Sequence, residues 1–249
     1  MIVLKTTREI AAMREAGRIA GRALKLAGEM VAPGVSTYDI DRETEKFIRS
    51  CGAIPSFKGY EGFPATACIS INEQVIHGIP NRHRIIQAGD IVSIDLGACY
   101  EGYHGDTAAT FAAGEPNSEA QRLIDVTREC LMKGIEAARA GNRIGDISCA
   151  VQTNAEAAGF SVVRSFVGHG VGAKLHEAPE VPNYGPAGRG LRLMAGMTIA
   201  IEPMINMGGA DVKVLDDGWT VVSTDKKPSA HFEHTVAITP DGPVIMTLP

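Results

Sequence analysis

Two carboxylates 107 residues apart close matching octets in this 249-residue chain. Asp95 ends Ala88-Gly89-Asp90-Ile91-Val92-Ser93-Ile94-Asp95, and Glu202 ends Ala195-Gly196-Met197-Thr198-Ile199-Ala200-Ile201-Glu202. A carboxylate ending an apolar strand is costly to bury unless something positive meets it. Strand alternation puts Ser93, Asp95 and Gly97 on one face, and Thr198, Ala200 and Glu202 on another, so small neighbours leave room beside each acid. Two more acids sit where a strand wants apolar residues. Asp106 precedes Thr107-Ala108-Ala109-Thr110-Phe111, and Glu233 lies in His231-Phe232-Glu233-His234-Thr235, sharing a face with His231 and Thr235. A turn within Tyr100-Glu101-Gly102-Tyr103 is expected to bring Asp106 opposite Asp95. Like charges so placed require a proton or a cation between them. His169, in Gly168-His169-Gly170-Val171-Gly172, adds an imidazole where glycines let the backbone approach closely.

Four carboxylates and one imidazole form an oxygen-rich set, unlike the sulfur-rich sets of structural zinc. Such a set can hold two divalent ions, with some carboxylates bridging. The pair would acidify a shared water and polarise a carbonyl or phosphoryl oxygen. These residues by themselves specify a two-metal hydrolase and leave its substrate open. For a phosphoesterase, no Gly-rich phosphate cradle with a basic residue stands beside the carboxylates.

The elements that must position these groups repeat. Thr6 with Glu9 makes a capping box before Ile10, Met13, Gly17, Ala20, Leu24 and Ala27 at helical spacing, and Ser118 with Gln121 makes another before Leu123, Val126, Cys130, Gly134 and Ala137. Breaks follow at Pro33-Gly34 and Gly141-Asn142. A second helix then matches at the 107 offset: Ile40, Thr44, Phe47, Ile48 and Cys51 against Ile147, Val151, Asn154, Ala155 and Ala158, with Gly52 and Gly159 as stops. Two helix-helix-strand units sharing one antiparallel sheet, with helices on one face and the site between the halves, is the expected α+β architecture. The chain is expected to be a single catalytic domain over 1–249, with halves of about 1–112 and 113–249.

Composition is that of a globular protein, 45% hydrophobic and 21% charged, and a net charge of -5 gives no footprint for nucleic acid. The initial apolar run stops at Lys5, so no leader or membrane segment is expected and a cytoplasmic enzyme is the default. Five cysteines without a C-x-x-C pair read as reduced thiols, most of them buried.

The ordered set Ser-Ile-Asp95-Leu-Gly, His-Gly-Asp106-Thr-Ala, Gly-His169-Gly-Val-Gly, Ile-Glu202-Pro-Met and Phe-Glu233-His-Thr closely resembles type I methionine aminopeptidase. Met13-Arg14-Glu15-Ala16-Gly17, Cys68-Ile69-Ser70-Ile71-Asn72-Glu73, Ile76-His77-Gly78-Ile79-Pro80 and His176-Glu177-Ala178-Pro179 extend the resemblance over essentially the whole chain. It implies the duplicated pita-bread fold and two divalent metal ions per chain, drawn from Co, Mn, Fe, Ni and Zn. Asp95 would chelate one metal, Asp106 and Glu233 would bridge both, and His169 with Glu202 would complete the second. The implied reaction removes the initiator methionine from chains with a small second residue, by attack of a metal-activated hydroxide. Glu202 would shuttle the proton, His176 would donate to the oxyanion, and His77 would hold the scissile amide. By position, Tyr60, Phe63, Cys68 and Trp219 would line a methionine pocket. Leu175 replaces an aromatic of some relatives, and Phe57 stands where a pocket cysteine can occur. The implied partners are N-termini of nascent polypeptides near the ribosome exit, met by a monomer. Since the family cleaves only before small residues, the start Met1-Ile2 predicts that this chain keeps Met1.

Two alternatives share the fold. An Xaa-Pro aminopeptidase would carry the same metal residues, usually behind a large extra N-terminal domain, whereas here the first capping box begins at Thr6. A non-catalytic peptide-binding relative would have lost ligands, whereas here all five stand. The type II branch would need a sizeable insertion, for which little room exists between Glu202 and Glu233.

Overall fold

The computed structural model describes residues 2–249; Met1, whose retention the sequence predicts, lies outside them. Four helices are present among the described residues: α1 (Thr7–Glu29), α2 (Thr37–Ser50), α3 (Ser118–Ala137) and α4 (Ile144–Ala157). The Thr6–Glu9 capping box closes α1 as expected. The start of α3 differs: Asn117 is the cap, its side chain accepting from the Ala120 N–H at 2.8 Å. Asparagine caps as well as serine and stands one residue earlier, so Ser118 becomes the first helical residue and Gln121 turns outward to Asp125.

The repeat holds to the residue in the second helix of each half. Both ends of α4 lie 107 positions beyond those of α2. The helix stops match as well, Gly52 at φ 74° and Gly159 at φ 80°, in the left-handed region where a Cβ is strained. The same offset separates strand Ile54–Pro55 from Ser161–Val162, and the first residue of strand Ile91–Tyr100 from that of Thr198–Ile201. The copies then part. The first strand continues through Asp95 into a hairpin, while the second ends before Glu202-Pro203, where proline lacks the N–H to continue a ladder.

The main sheet runs in the order Ile54–Pro55, Ile91–Tyr100, Tyr103–Ala112, Glu233–Thr239, Thr198–Ile201, Gly168–Gly170, Glu177–Val181, and every pairing is antiparallel. The halves are joined where Glu233 pairs with Ala108 and His234 with Thr107. Helices α1 and α3 pack on the sheet, with α2 against α1 and α4 against α3. Alternation decides which strand residues meet them: Val92, Ile94 and Leu96 bury against Ile19, Ala20, Leu24 and Ile40, leaving Asp95 on the opposite face. In the second half Ile199, Ile201 and Val236 bury against Leu123, Leu131, Ile147 and Val151. Each such side chain contributes about 1.5–3 kcal/mol by leaving water, which holds the sheet in the geometry the site needs.

Two sequence expectations need correction. The turn tip is Glu101-Gly102 with Tyr100 opposite Tyr103, so Asp106 faces Gly97 and Asp95 faces Ala108. The two acids are therefore diagonal neighbours on one face rather than a direct pair. The run from His231 to Ile238 is also broken at Phe232: His231 ends strand Ser229–His231, which pairs with Met204–Asn206 in a separate small sheet. Of the cysteines, all free, Cys68 and Cys130 are buried, whereas Cys51 caps α2, Cys99 nears a hairpin end and Cys149 lies on α4, each half-buried. Among the described residues no helix is long and apolar enough to cross a membrane.

Candidate metal centre and substrate cavity

The sheet face left free by the helices opens into a cavity of about 340 Å³. Asp95 enters it from mid-strand, between Cys68 on one neighbouring strand and Ala108 on the other. Asp106 is clamped at its backbone: its N–H donates to the Thr235 hydroxyl at 3.0 Å, and that hydroxyl donates to its carbonyl at 2.9 Å. Across the seam Thr107 donates to the Glu233 carbonyl at 2.9 Å. Asn183 holds the Glu202 carbonyl at 2.9 Å just past the strand end. His169 stands between Gly168 and Gly170, where a Cβ would strike the backbones of Ala200 and Ala178. Those glycines let its strand seat deeply enough for the imidazole to reach the acids.

The reactive atoms converge. His169 Nδ1 donates to the Gly170 carbonyl at 2.9 Å, which leaves Nε2 as the lone-pair atom. Nε2 lies 3.5 Å from Glu202 Oε1 and 3.8 Å from Asp106 Oδ2. Asp106, His169 and Glu233 each offer a ligand atom, and these lie within 4.8 Å of one another. Asp95 Oδ1, Asp106 Oδ1 and Glu233 Oε1 are buried without a hydrogen-bond partner. Among the residues lining the cavity there is no lysine or arginine to neutralise them. Burial pushes the Asp106 carboxyl up to about 7. Burial first, and then neighbouring carboxylates, hold Asp95, Glu202 and Glu233 well above the usual range. Burial instead lowers the imidazoles, His169 to about 3 and His77 to about 4, so both are neutral and able to coordinate or accept. Orphaned oxygens, a neutral imidazole and no organic cation make a donor set suited to divalent metal.

Beside this set lies an apolar wall of Phe57, Phe63, Cys68 and Leu175, with Tyr60 and Trp219 against it. Phe63 and Trp219 meet edge to face with centroids 5.1 Å apart. Trp219 also presents its edge to His77 at 6.2 Å, and Phe166 closes on that imidazole at 5.8 Å. The Tyr60 hydroxyl is 2.9 Å from His176 Nδ1, while the His176 and His169 rings lie 4.0 Å apart.

The structure brings all eleven residues named from the sequence to this one cavity. It also brings Phe57 and Leu175 into the apolar wall, and Glu61 to the mouth. His231 was not foreseen as part of the site. Its Nε2 lies 3.7 Å from Glu202 Oε2, and the His-Phe-Glu-His spacing was the available signal. Asn183 and Thr235, which fix the backbones of two acids, carry no sequence signal of their own.

The profile of metallopeptidase family M24 matches residues 11–240. A methionine aminopeptidase of Clostridium perfringens is 58% identical, over 100% of this chain and 99% of its own length. The crystal structure of methionine aminopeptidase from Thermotoga maritima superposes with a TM-score of 0.99 at 43% identity, with 100% of both chains covered. The prolidase of Pyrococcus horikoshii shares the fold at a TM-score of 0.80 and 26% identity, and 64% of that larger chain is covered.

Proposed function

The chain belongs to metallopeptidase family M24, and from that premise we infer that it is a methionine aminopeptidase of the bacterial type I, which removes the initiator methionine. Its substrates are the N-termini of nascent polypeptides with a small second residue. The observation that carries this reading is the row of unpartnered carboxylate oxygens beside an apolar wall in one cavity. Asp95 would hold one divalent ion, Asp106 and Glu233 both ions, and His169 with Glu202 the second. Such ions, for which Co, Mn, Fe, Ni and Zn are all suited, polarise a scissile carbonyl and acidify a water at neutral pH.

The chain's own residues supply the remainder. The apolar, polarizable wall of Phe63, Cys68, Leu175 and Trp219 takes the thioether side chain. Glu202, buried and anionic only when a cation offsets its environment, accepts the proton of the attacking water and passes it to the leaving amine. His176, with Nδ1 2.9 Å from the Tyr60 hydroxyl, would turn Nε2 to the oxyanion and donate to it there. His77, neutral and fixed by the edges of Phe166 and Trp219, orients the amide being cut.

Methionine release from Met-Ala-Ser during a titration with each of the five metals tests the reading. Release only with metal, and none from Met-Leu-Ser, is expected. Preference for an Ala-Pro substrate would favour the prolidase-like alternative, and no release with any metal would sink the assignment.

A further inference from the structure

Lys5 and Glu177 form an ion pair where neither would be expected to hide. The Nζ–Oε2 distance is 2.5 Å, and the two side chains are only 4% and 13% exposed. Breaking a buried pair from one side is strongly destabilising, yet an apolar pair of similar volume is often no less stable. Net stability therefore gives little reason to bury these charges, and their geometry does.

Glu177 directly follows His176. The segment from Gly172 to His176 has no regular structure, so its shape depends on a few ties, one of them from the Gly172 N–H to the Lys174 carbonyl at 3.0 Å. The others centre on Glu177 and Gly172. Glu177 Oε1 accepts from the Lys174 N–H at 3.2 Å, which closes the segment on itself. The Gly172 carbonyl accepts from the His104 N–H at 2.9 Å. A Cβ on Gly172 would strike both the Glu177 carboxylate and Lys5 Cε, so the glycine makes way for the pair. Lys5 is itself anchored, its N–H donating to the Gly196 carbonyl at 2.7 Å and its ammonium to the Val3 carbonyl at 3.3 Å. Gly196 belongs to the octet that ends at Glu202. A continuous tie thus joins the Glu202 strand, the N-terminal segment and the His176 segment.

We propose that Lys5 is a positioning residue, which sets His176 against the reacting carbonyl by gripping Glu177. This rests on the reading of His176 as the group that contacts substrate. A double-mutant cycle between the two positions tests it in the metal-loaded enzyme. Lys5→Met is expected to lower kcat about tenfold with KM little changed, since small misplacements of a catalytic group act on the transition state. In the His176→Ala background the same change should cost less than about twofold. Lys5→Arg should restore part of the loss, and calorimetric affinity for Mn should stay at the wild-type value in every variant. Should Lys5→Met fold poorly, Glu177→Gln, which keeps the acceptor for Lys174 and discards the charge, takes its place in the cycle. Equal losses in both backgrounds, no loss in either, or a matching fall in Mn affinity would overturn the proposal. An inactive wild-type enzyme would instead overturn the aminopeptidase reading beneath it.

Discussion

His169 Nε2 stands 3.5 Å from Glu202 Oε1, although Gly170 opposite Ile199 is the single ladder pair between their strands. That single pairing puts the imidazole beside a carboxylate at the strand's far end, so a residue with no counterpart in the other half completes the donor set. The position 107 residues before His169 is Gly62, and the one before Glu233 is Val126. Duplication produced the cavity, and departures from it produced the chemistry.

Asp106, proposed as a bridging ligand, is clamped at its backbone by Thr235 and lies within reach of both His169 and Glu233. Asp106→Ala should abolish methionine release, by more than about a thousandfold, because a bridging group acts on both ions at once. The metal-free variant should melt higher than metal-free wild type, since an unpartnered buried acid is gone. Full turnover by the metal-saturated variant would contradict the assignment.

Metal binding and stability should be linked through pH. In the metal-free protein the Asp106 carboxyl sits at about 7 against an ordinary 3.8, so its neutral form stabilises the fold fully below that lower value. That contribution is lost as pH rises through the folded value. His234 is displaced the other way, from 6.5 to about 4 by burial, so its contribution is present above the ordinary value and fades as pH falls. Cations favour ionised carboxylates, so the rise in Tm on adding metal should widen between about pH 5 and pH 8. A gap independent of pH, read by thermal melts with and without chelator, would refute the linkage.

The pocket wall should act mainly on binding. Trp219→Ala removes the edge contact to Phe63 and one flank of His77, a loss of about 1–2 kcal/mol. KM for Met-Ala-Ser should rise roughly tenfold while kcat falls less, and the change should be smaller for a norvaline-started peptide. A pure kcat effect would place Trp219 outside the pocket's function.

Gly17 on α1 lies against the backbones of Gly105 and Met246, and a Cβ there would collide with the Met246 carbonyl. Helix propensity alone would make Gly17→Ala stabilising by up to about 1 kcal/mol. The collision should reverse the sign and cost about 2–3 kcal/mol, measurable by urea unfolding. A variant as stable as wild type would show that α1 can shift without harm.

Side-chain chemistry was the most legible part of this sequence. Misplaced acids announce themselves by violating an apolar pattern, and the second helices repeat with such fidelity that both ends of α4 could be placed from α2. Register was less legible. The Glu101-Gly102 tip fixes Asp106 opposite Gly97, but a small shift of turn would have looked as plausible in a strand of small residues. The break at Phe232 was hidden because His231 and Glu233 keep an alternating pattern across it while joining different sheets. Backbone clamps such as Asn183 on Glu202 were invisible, because they depend on residues brought together only by the finished fold.

The order of the donor residues along the chain has a consequence for synthesis. Asp95 and Asp106 emerge first, on one hairpin, while His169, Glu202 and Glu233 follow from the other half. A growing chain holds these two acids without His169 until translation is well advanced, and it lacks the seam strand until Glu233 has been added. The full donor set therefore exists only once both halves have been made and paired across the seam.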